Sequence, residues 1–255
     1  MDFYYIFAGA SVGFIIGLTG VGGGSLMTPL LVLGFNVQPA IAVGTDLLYA
    51  AITKAGGVWS HHKHRNIDWT IVRPLCLGSI PGSIICVILI QYFNISGDYF
   101  DKVISISLGF MLVLTSFVIL FKNHLSSYLS PAKTNDRKPS SITITLLGAI
   151  LGILVTLSSV GAGAIGGALL MLLYPSLKTR TIIGTDIAHA VPLTAIAGLG
   201  HYHLGNIDFS LLFNLILGSI PGIYLGAMIS ERVPEQLLRF LLATLLLLIG
   251  AKFIT

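Results

Sequence analysis

The sequence predicts an all-α polytopic membrane protein that is built from two homologous repeats. The chain has 255 residues, of which 55% are hydrophobic and only 9% are charged, and its mean hydropathy is +0.91. A soluble domain carries about 25% charged residues. The chain also repeats itself, because residues 41–82 align with 181–222 without a gap and share 16 identities in 42 positions. We interpret the repeat as a duplicated membrane unit.

Each repeat contains four apolar stretches. They cover 3–35, 39–60, 69–93 and 100–121 in the first repeat, and 142–175, 181–203, 209–230 and 236–254 in the second. A helix that crosses the hydrocarbon core needs about 20 residues, so the last three stretches of each repeat each predict one spanning helix. We therefore expect a transmembrane repeat at 1–121, a polar, basic, cytoplasmic linker at 122–141, and a second transmembrane repeat at 142–255.

The first stretch of each repeat is too long for one span and is interrupted by glycine. Residues 20–24 are Gly-Val-Gly-Gly-Gly, and residues 161–164 are Gly-Ala-Gly-Ala at the matching place. Each glycine costs about 1 kcal/mol in a helix interior. We therefore expect an unwound segment between two short helices, in the form of either a broken helix or a hairpin.

The positions of Lys and Arg choose between two orientations of the repeats. If each broken stretch crosses the membrane once, the repeats are parallel, and 8 of the 13 Lys and Arg outside the apolar interior face the cytoplasm. If each stretch turns back at its glycines, the repeats are inverted, and 11 of the 13 face the cytoplasm. Cytoplasmic loops carry an excess of Lys and Arg, so the count favours inverted repeats with both termini outside.

The glycine breaks predict a binding site for a small anion. A helix that restarts after glycines presents unpaired backbone N–H groups and the positive end of its dipole. In inverted repeats, two such helix starts converge near the middle of the membrane. The alternative is close helix packing, for which small residues are also enriched in membranes. The residues predicted to bind the anion are Gly22, Gly23, Gly24 and Ser25 in the first copy and Gly161, Ala162 and Gly163 in the second.

A repeated Gly-Thr-Asp motif places a carboxylate inside an apolar segment of each copy. Asp46 and Asp186 are candidates for carrying a coupling proton, because ionisable groups inside a membrane are costly and usually functional. Thr45 and Thr185 precede them and are candidate substrate ligands. The alternative is that each Thr-Asp pair caps a helix. Pro39 predicts a helix start about two turns earlier, which would place Asp46 inside that helix.

Two further polar side chains occur in apolar segments. Lys54 is the only Lys or Arg well inside one, and it would balance the charge of a bound anion. The alternative is that its side chain extends toward the loop at 61–65. His189 lies one turn beyond Asp186 and would share its proton, or else would be an ordinary packing residue. The histidines at 61–64 lack the cysteines or glutamate of usual zinc motifs, so we predict neither a metal site nor a cofactor.

Several elements of the sequence resemble the sulfite exporter TauE/SafE family of membrane permeases. The run from Gly17 to Pro29, Gly-Leu-Thr-Gly-Val-Gly-Gly-Gly-Ser-Leu-Met-Thr-Pro, is similar to the N-terminal signature of that family. The Gly-Thr-Asp, Asn-Ile-Asp and Gly-Ser-Ile-Pro-Gly elements resemble it in both halves, over essentially the whole chain. The resemblance implies transport of sulfur-containing anions such as sulfite, thiosulfate or organosulfonates. The second copy departs from the signature at residues 160–164, which leaves the substrate open.

The features together predict a multi-pass secondary transporter of the plasma (inner) membrane. It would carry a small anion by alternating access, with Asp46 or Asp186 coupling the movement to a proton. The alternatives are an anion channel and a membrane-embedded enzyme, although no P-loop, nucleophile elbow or HExxH signature occurs. The basic residues lie in short loops, so no nucleic-acid partner is predicted. The expected partners are the anion and the lipid bilayer, and the sequence leaves a homo-oligomer open.

Overall fold

The computed structural model describes residues 3–19, 24–93, 97–129, 139–229 and 234–254. In this part of the chain the fold is all-helical, with no strand, so the predicted fold class is confirmed. The helices are α1 Phe3–Thr19, α2 Gly24–Phe35, α3 Pro39–Lys63, α4 Trp69–Tyr92, α5 Asp98–Leu129, α6 Ser141–Ser158, α7 Ala164–Leu173, α8 Thr179–His203, α9 Phe209–Ile229 and α10 Glu235–Ile254. The backbone of α5 thus continues into the segment predicted as the linker.

The helix starts follow local sequence signals. Pro39 is the first residue of α3, a position at which its fixed backbone angle and missing N–H are tolerated. The Asp68 carboxylate accepts the backbone N–H of Thr70 at 3.0 Å and caps α4. The Ser140 hydroxyl accepts the N–H of Ile142 at 3.2 Å and caps α6. Each cap satisfies a backbone donor that the helix itself leaves unpaired.

Six helices of the described segments are long and apolar enough to cross a membrane, namely α4, α5, α6, α8, α9 and α10. Helices α1, α2 and α7 are apolar but shorter. Helix α3 has 25 residues, yet Asp46 and Lys54 lower its hydropathy. Large apolar side chains such as Leu77, Tyr224 and Leu248 point outward and are exposed. Such an apolar outer surface is what a lipid environment requires.

The two halves interlock, because the first helix of each half packs along the other half. Helix α1 packs along α9, and α6 packs along α4. A Cβ atom on Gly13 of α1 would overlap the backbone of Ser219, and one on Gly152 of α6 would overlap the backbone of Ser79. Small residues permit this close approach of membrane helices. Gly13 and Gly152 are thus equivalent and lie 139 positions apart, whereas their partners Ser79 and Ser219 lie 140 positions apart. The offset between the repeats is therefore 139 in the first helices of the halves and 140 in the later helices.

Helices α3 and α8, which are equivalent in the repeat, pack against each other in opposite directions. Gly44 near the start of α3 lies against His201 near the end of α8. Gly57 in the second half of α3 lies against Ile187 in the first half of α8. The contacts therefore run in opposite order along the two helices. This antiparallel pair lies at the centre of the fold and carries six of the thirteen candidate site residues, namely Thr45, Asp46, Lys54, Thr185, Asp186 and His189.

The last helices of the two halves, α5 and α10, are also antiparallel. The hydroxyl of Ser116 on α5 donates to the carbonyl of Ala243 on α10 at 2.7 Å. Gly109, earlier on α5, lies against Phe253, later on α10. Both contacts join halves of the chain that are far apart in sequence, so the second half is not a separate body appended to the first.

Candidate functional site

The chain unwinds between α6 and α7, as the second glycine run predicts. Helix α6 ends at Ser158, and Ser159 adopts the left-handed conformation with φ of 55°. Gly161 and Gly163 have φ of 111° and 149°, values that favour glycine because a side chain would clash there. Helix α7 then begins at Ala164. We refer to residues 159–163 as the second break.

The corresponding region of the first half is described only at its edges. Helix α1 ends at Thr19 and α2 begins at Gly24. Gly22 and Gly23 lie outside the described residues. Ser25 lies in the first turn of α2 and is buried. The anion-binding role predicted for these four residues therefore stays a prediction.

The start of α7 offers backbone donors. Among the described residues, the N–H groups of Ala164 and Ile165 have no backbone acceptor, whereas the N–H of Gly166 donates to the carbonyl of Gly161 at 3.1 Å. A helix start of this kind combines free donors with a partial positive charge. The geometry fits the predicted preference for an anion, and its location at the second break matches the sequence pattern.

Lys54 links the two halves at this break. Its Nζ atom on α3 donates a hydrogen bond to the carbonyl oxygen of Ala162. The side chain is half-buried, and its charge interacts electrostatically with both Asp46 and Asp186. The side chain therefore reaches into the protein, and the alternative in which it extends toward the loop at 61–65 does not apply.

Asp46 lies inside α3 and has a hydroxyl partner. Its side chain is fully buried, and its Oδ2 atom accepts a hydrogen bond from the Thr28 hydroxyl of α2 at 2.5 Å. The Ser159 hydroxyl of the second break lies beside the same carboxyl group, without a hydrogen bond of ordinary geometry. Because α3 begins at Pro39 as predicted, Asp46 does not cap that helix.

Asp186 occupies the equivalent position in α8 but has different neighbours. Its side chain is 4% exposed and lies against Gly166 and Gly167 in the first turns of α7. Its Oδ1 atom has no hydrogen-bond partner among the described residues. The opposite charge that acts on it is that of Lys54. The structure therefore brings Asp186, Lys54 and the second break together.

The two threonines of the Gly-Thr-Asp motifs contact loops instead. The Thr45 hydroxyl accepts the backbone N–H of Asp208 at 3.1 Å, and the Thr185 hydroxyl accepts that of Asp68 at 3.0 Å. Asp208 and Asp68 belong to the repeated Asn-Ile-Asp motif. The Gly-Thr-Asp motif of each half thus binds the Asn-Ile-Asp motif of the other half, a pairing that sequence reasoning did not anticipate.

A second equivalent pair of hydrogen bonds involves His189. Its Nε2 atom is 2.8 Å from the Ser79 hydroxyl of α4, and Ser79, not Asp186, is its hydrogen-bond partner. In the other half, the Tyr49 hydroxyl bonds to the Ser219 hydroxyl of α9. Both serines belong to the repeated Gly-Ser-Ile-Pro-Gly motif, a signal that was visible in the sequence. Tyr49 and the serines were nevertheless missed as polar contacts.

The site as a whole is suited to binding small charged species. It contains one ammonium group, two carboxyl groups and the free donors of a helix start. Within the described ranges, no three His, Cys, Asp or Glu side chains are grouped as the ligands of a metal ion would be. Ionisable groups at the meeting point of two duplicated membrane halves are typical of membrane transporters.

The comparisons with known proteins agree with this class. The sequence model of the family described as "Sulfite exporter TauE/SafE" matches residues 5–253. The chain therefore belongs to the sulfite exporter TauE/SafE family of membrane transporters, and the resemblance noted in the sequence is confirmed.

Relatives with similar sequences carry transporter names. The chain is 38% identical to the probable membrane transporter protein YjnA of Bacillus subtilis, over 100% of both chains. It is 28% identical to the probable membrane transporter protein YdhB of the same species, over 89% of this chain and 90% of the relative. It is 27% identical to the probable membrane transporter protein MJ0441 of Methanocaldococcus jannaschii, over 94% and 91%. No solved structure gives a significant match.

Proposed function

We propose that this protein carries a small sulfur-containing oxyanion across the plasma (inner) membrane by alternating access. Sulfite, thiosulfate and an organosulfonate are the candidate cargoes, and a proton is the candidate coupling ion. The observation that carries the proposal is the Lys54 side chain, which leaves α3 of one half and bonds to Ala162 in the unwound segment of the other. A cation held at such a position in a membrane is costly unless it has a functional use.

The direction of the helices supports an inverted arrangement of the repeats. The equivalent helices α3 and α8 are antiparallel, as are α5 and α10. Helix α1 runs parallel to α9, because Gly9 lies against Leu215 and Gly17 lies further along against Ile223. Helix α9 follows α8 after a short turn and so runs in the direction of α3. Helices α1 and α3 therefore run in the same direction, so α2 must run in the opposite direction to return the chain to the start of α3. This favours a first stretch that forms a hairpin over one that crosses the membrane once as a broken helix.

The magnitudes indicate which group dominates anion binding. A unit charge 4 Å from an anion is worth about 4 kcal/mol at an effective dielectric constant of 20. The dipole of a helix start contributes about 0.3–1 kcal/mol, or about 2 kcal/mol when partly buried. Lys54 is therefore the main source of affinity in the proposal, and the N–H groups of Ala164 and Ile165 orient the oxygen atoms of the anion.

The test is flux in proteoliposomes. Uptake of sulfite, thiosulfate and a small sulfonate is measured with and without an imposed pH gradient, for the natural sequence, Lys54→Met and the control Lys102→Met. Lys102 lies on the exposed surface of α5. We expect saturable, gradient-dependent uptake of one anion, a loss of at least about tenfold in Lys54→Met, and unchanged uptake in Lys102→Met.

Each alternative outcome has a distinct meaning. The absence of flux for every sulfur anion would refute the cargo. Full activity of Lys54→Met would remove that residue from the binding site. Single-channel currents without uphill accumulation would identify an anion channel.

A further inference from the structure

The two buried aspartates are equivalent in the repeat but unequal in their surroundings. Asp46 accepts the hydroxyl hydrogen of Thr28 at 2.5 Å. The residue equivalent to Thr28 in the second half, 139 positions later, is Gly167, which has no side chain to donate. The Oδ1 atom of each aspartate lacks a hydrogen-bond partner among the described residues, so the two carboxyl groups differ in the hydroxyl that Asp46 receives and that Asp186, which is 4% exposed, does not. The difference between Thr28 and Gly167 thus gives Asp46 a hydroxyl donor that Asp186 lacks.

There is room for a Cβ atom on Gly167 beside the carboxyl group of Asp186. A Cβ atom built on Gly167 would lie 3.9 Å from the Oδ2 atom of Asp186, an ordinary van der Waals distance. A Cβ atom on Gly166 would instead overlap Oδ1. The carboxyl group therefore lies against Gly166 and Gly167 in the first turn of α7.

A carboxylate in this place competes with a bound anion. Asp186 and an anion at the start of α7 would draw on the same two positive sources, the charge of Lys54 and the helix dipole. Two negative charges that close together repel each other strongly in a water-poor site. When the carboxyl group takes up a proton, the repulsion disappears and the anion can enter.

Few other groups can carry or modify this proton. The titratable side chains that face or flank Asp186 are Lys54 and His61 from α3, Asp68 at the start of α4, and His189 on α8 itself. His189 is bonded to Ser79, and Asp68 caps its own helix through Thr70. Helices α6 and α7 contribute no titratable residue. Asp46 also lies beside the second break through Ser159 and interacts with Lys54, but its carboxyl group accepts the hydroxyl of Thr28. Asp186 is therefore the acidic group at the second break that no hydroxyl donor holds.

We infer that Asp186, and not Asp46, carries the proton that is coupled to movement of the anion, while Thr28 keeps Asp46 in a fixed hydrogen bond. This inference rests on the proposed function. Asp46 and Asp186 belong to the same repeated Gly-Thr-Asp motif, yet only Asp186 would carry the proton. Protonation of Asp186 would precede or accompany binding of the anion at the start of α7.

The first test separates coupling from transport. Net uptake of the anion under an acid-outside gradient is compared with exchange of labelled for unlabelled anion, which requires no net proton movement. We expect Asp186→Asn to retain exchange and lose the stimulation by the gradient, and Asp46→Asn to retain the stimulation. Retention of the stimulation in Asp186→Asn, or its loss only in Asp46→Asn, would overturn the inference.

The second test uses the repeat itself as the control. Gly167→Ser adds a hydroxyl that can bond to the ionised Asp186, as Thr28 bonds to Asp46, and Gly167→Ala adds the same Cβ atom without the hydroxyl. A hydrogen bond to the ionised form lowers the pH at which a carboxyl group takes up its proton. We expect the midpoint of the pH profile of uptake to move down by about one pH unit in Gly167→Ser and to stay in place in Gly167→Ala. Equal profiles for both variants would contradict the inference.

A spectroscopic measurement covers the case in which a variant transports poorly. The carbonyl stretching band of a protonated carboxyl group is followed by infrared difference spectroscopy of purified protein through a pH titration. We expect a band that is lost in Asp186→Asn and kept in Asp46→Asn, and the reverse pattern would overturn the inference. If the natural protein moves no anion at all, the proposed function fails. If it moves an anion without any effect of pH, anion transport stands, and the proton coupling and this inference fail.

Discussion

Replacing Thr45 or Thr185 by valine tests whether these hydroxyls stabilise the fold or bind substrate. Valine keeps the branched shape but removes the acceptor of a backbone N–H, that of Asp208 or Asp68. Both threonine side chains are fully buried, whereas the two hydrogen bonds are only partly buried. A typical internal hydrogen bond contributes about 1 kcal/mol, so each substitution should destabilise the protein by about that amount.

The assay is thermal unfolding of the purified protein in detergent. One kcal/mol corresponds to a change in Tm of about 2–4 °C for a chain of this size. Thr185 and His201 are sixteen positions apart on α8, and His201 packs near Thr45 at Gly44. The two sites are therefore about 24 Å apart. At that separation the effects should add in the double variant, to about 2 kcal/mol.

A measurement of anion affinity can refute the prediction that the two threonine hydroxyls stabilise the fold and do not bind the anion. The affinity of each valine variant, measured by binding to purified protein, should stay within about twofold of the natural protein, because neither hydroxyl contacts the second break. A variant with unchanged Tm and an affinity lowered by about tenfold would show that the hydroxyl binds the anion. The sequence-based assignment of both threonines as substrate ligands would then be correct.

Two further predictions concern packing and buried hydrogen bonds. A Cβ atom on Gly44 would overlap the backbone carbonyl of Asn206, while one on Gly56 would meet nothing within 4 Å. We therefore expect Gly44→Ala to lower Tm, whereas Gly56→Ala should leave it unchanged or raise it, because alanine favours a helix by about 1 kcal/mol; equal effects would contradict the packing. Tyr49→Phe leaves the buried Ser219 hydroxyl without its partner, and we expect a loss of about 1–3 kcal/mol in unfolding measurements. An unchanged Tm would show that this bond contributes nothing.

The helices were predictable because their signals are local. Pro39 marks the start of α3, Asp68 caps α4 through Thr70, and the glycine run at the second break ends α6. Each of these residues starts or ends a helix within a few positions of itself in the sequence. The apolar stretches are also local, so composition locates five of the six predicted spans. The prediction is wrong at α3, whose hydropathy Asp46 and Lys54 lower, and at α6, which is long enough to span although it was predicted as one of two short helices.

The contacts between the halves were not predictable in the same way. Lys54 and Ala162 are separated by 108 residues, and nothing in either segment specifies the other. The partner of Asp46 is a threonine from the broken first stretch, which periodicity cannot assign to one face of α3. The repeat showed that a bond in one half has a counterpart in the other. It did not show that Gly167 replaces Thr28 and leaves that counterpart without its donor.

The most direct test of the account is a crystal structure with selenite, the selenium analogue of sulfite, whose anomalous scattering locates the bound anion. We predict one dominant selenium peak within about 4 Å of the Lys54 Nζ atom, the range of an ion pair, beside the start of α7. The same peak should be absent from Lys54→Met. A dominant peak away from Lys54, on the lipid-facing surface or in a loop, with none at the second break, would contradict the central claim that the anion site lies where the two halves meet.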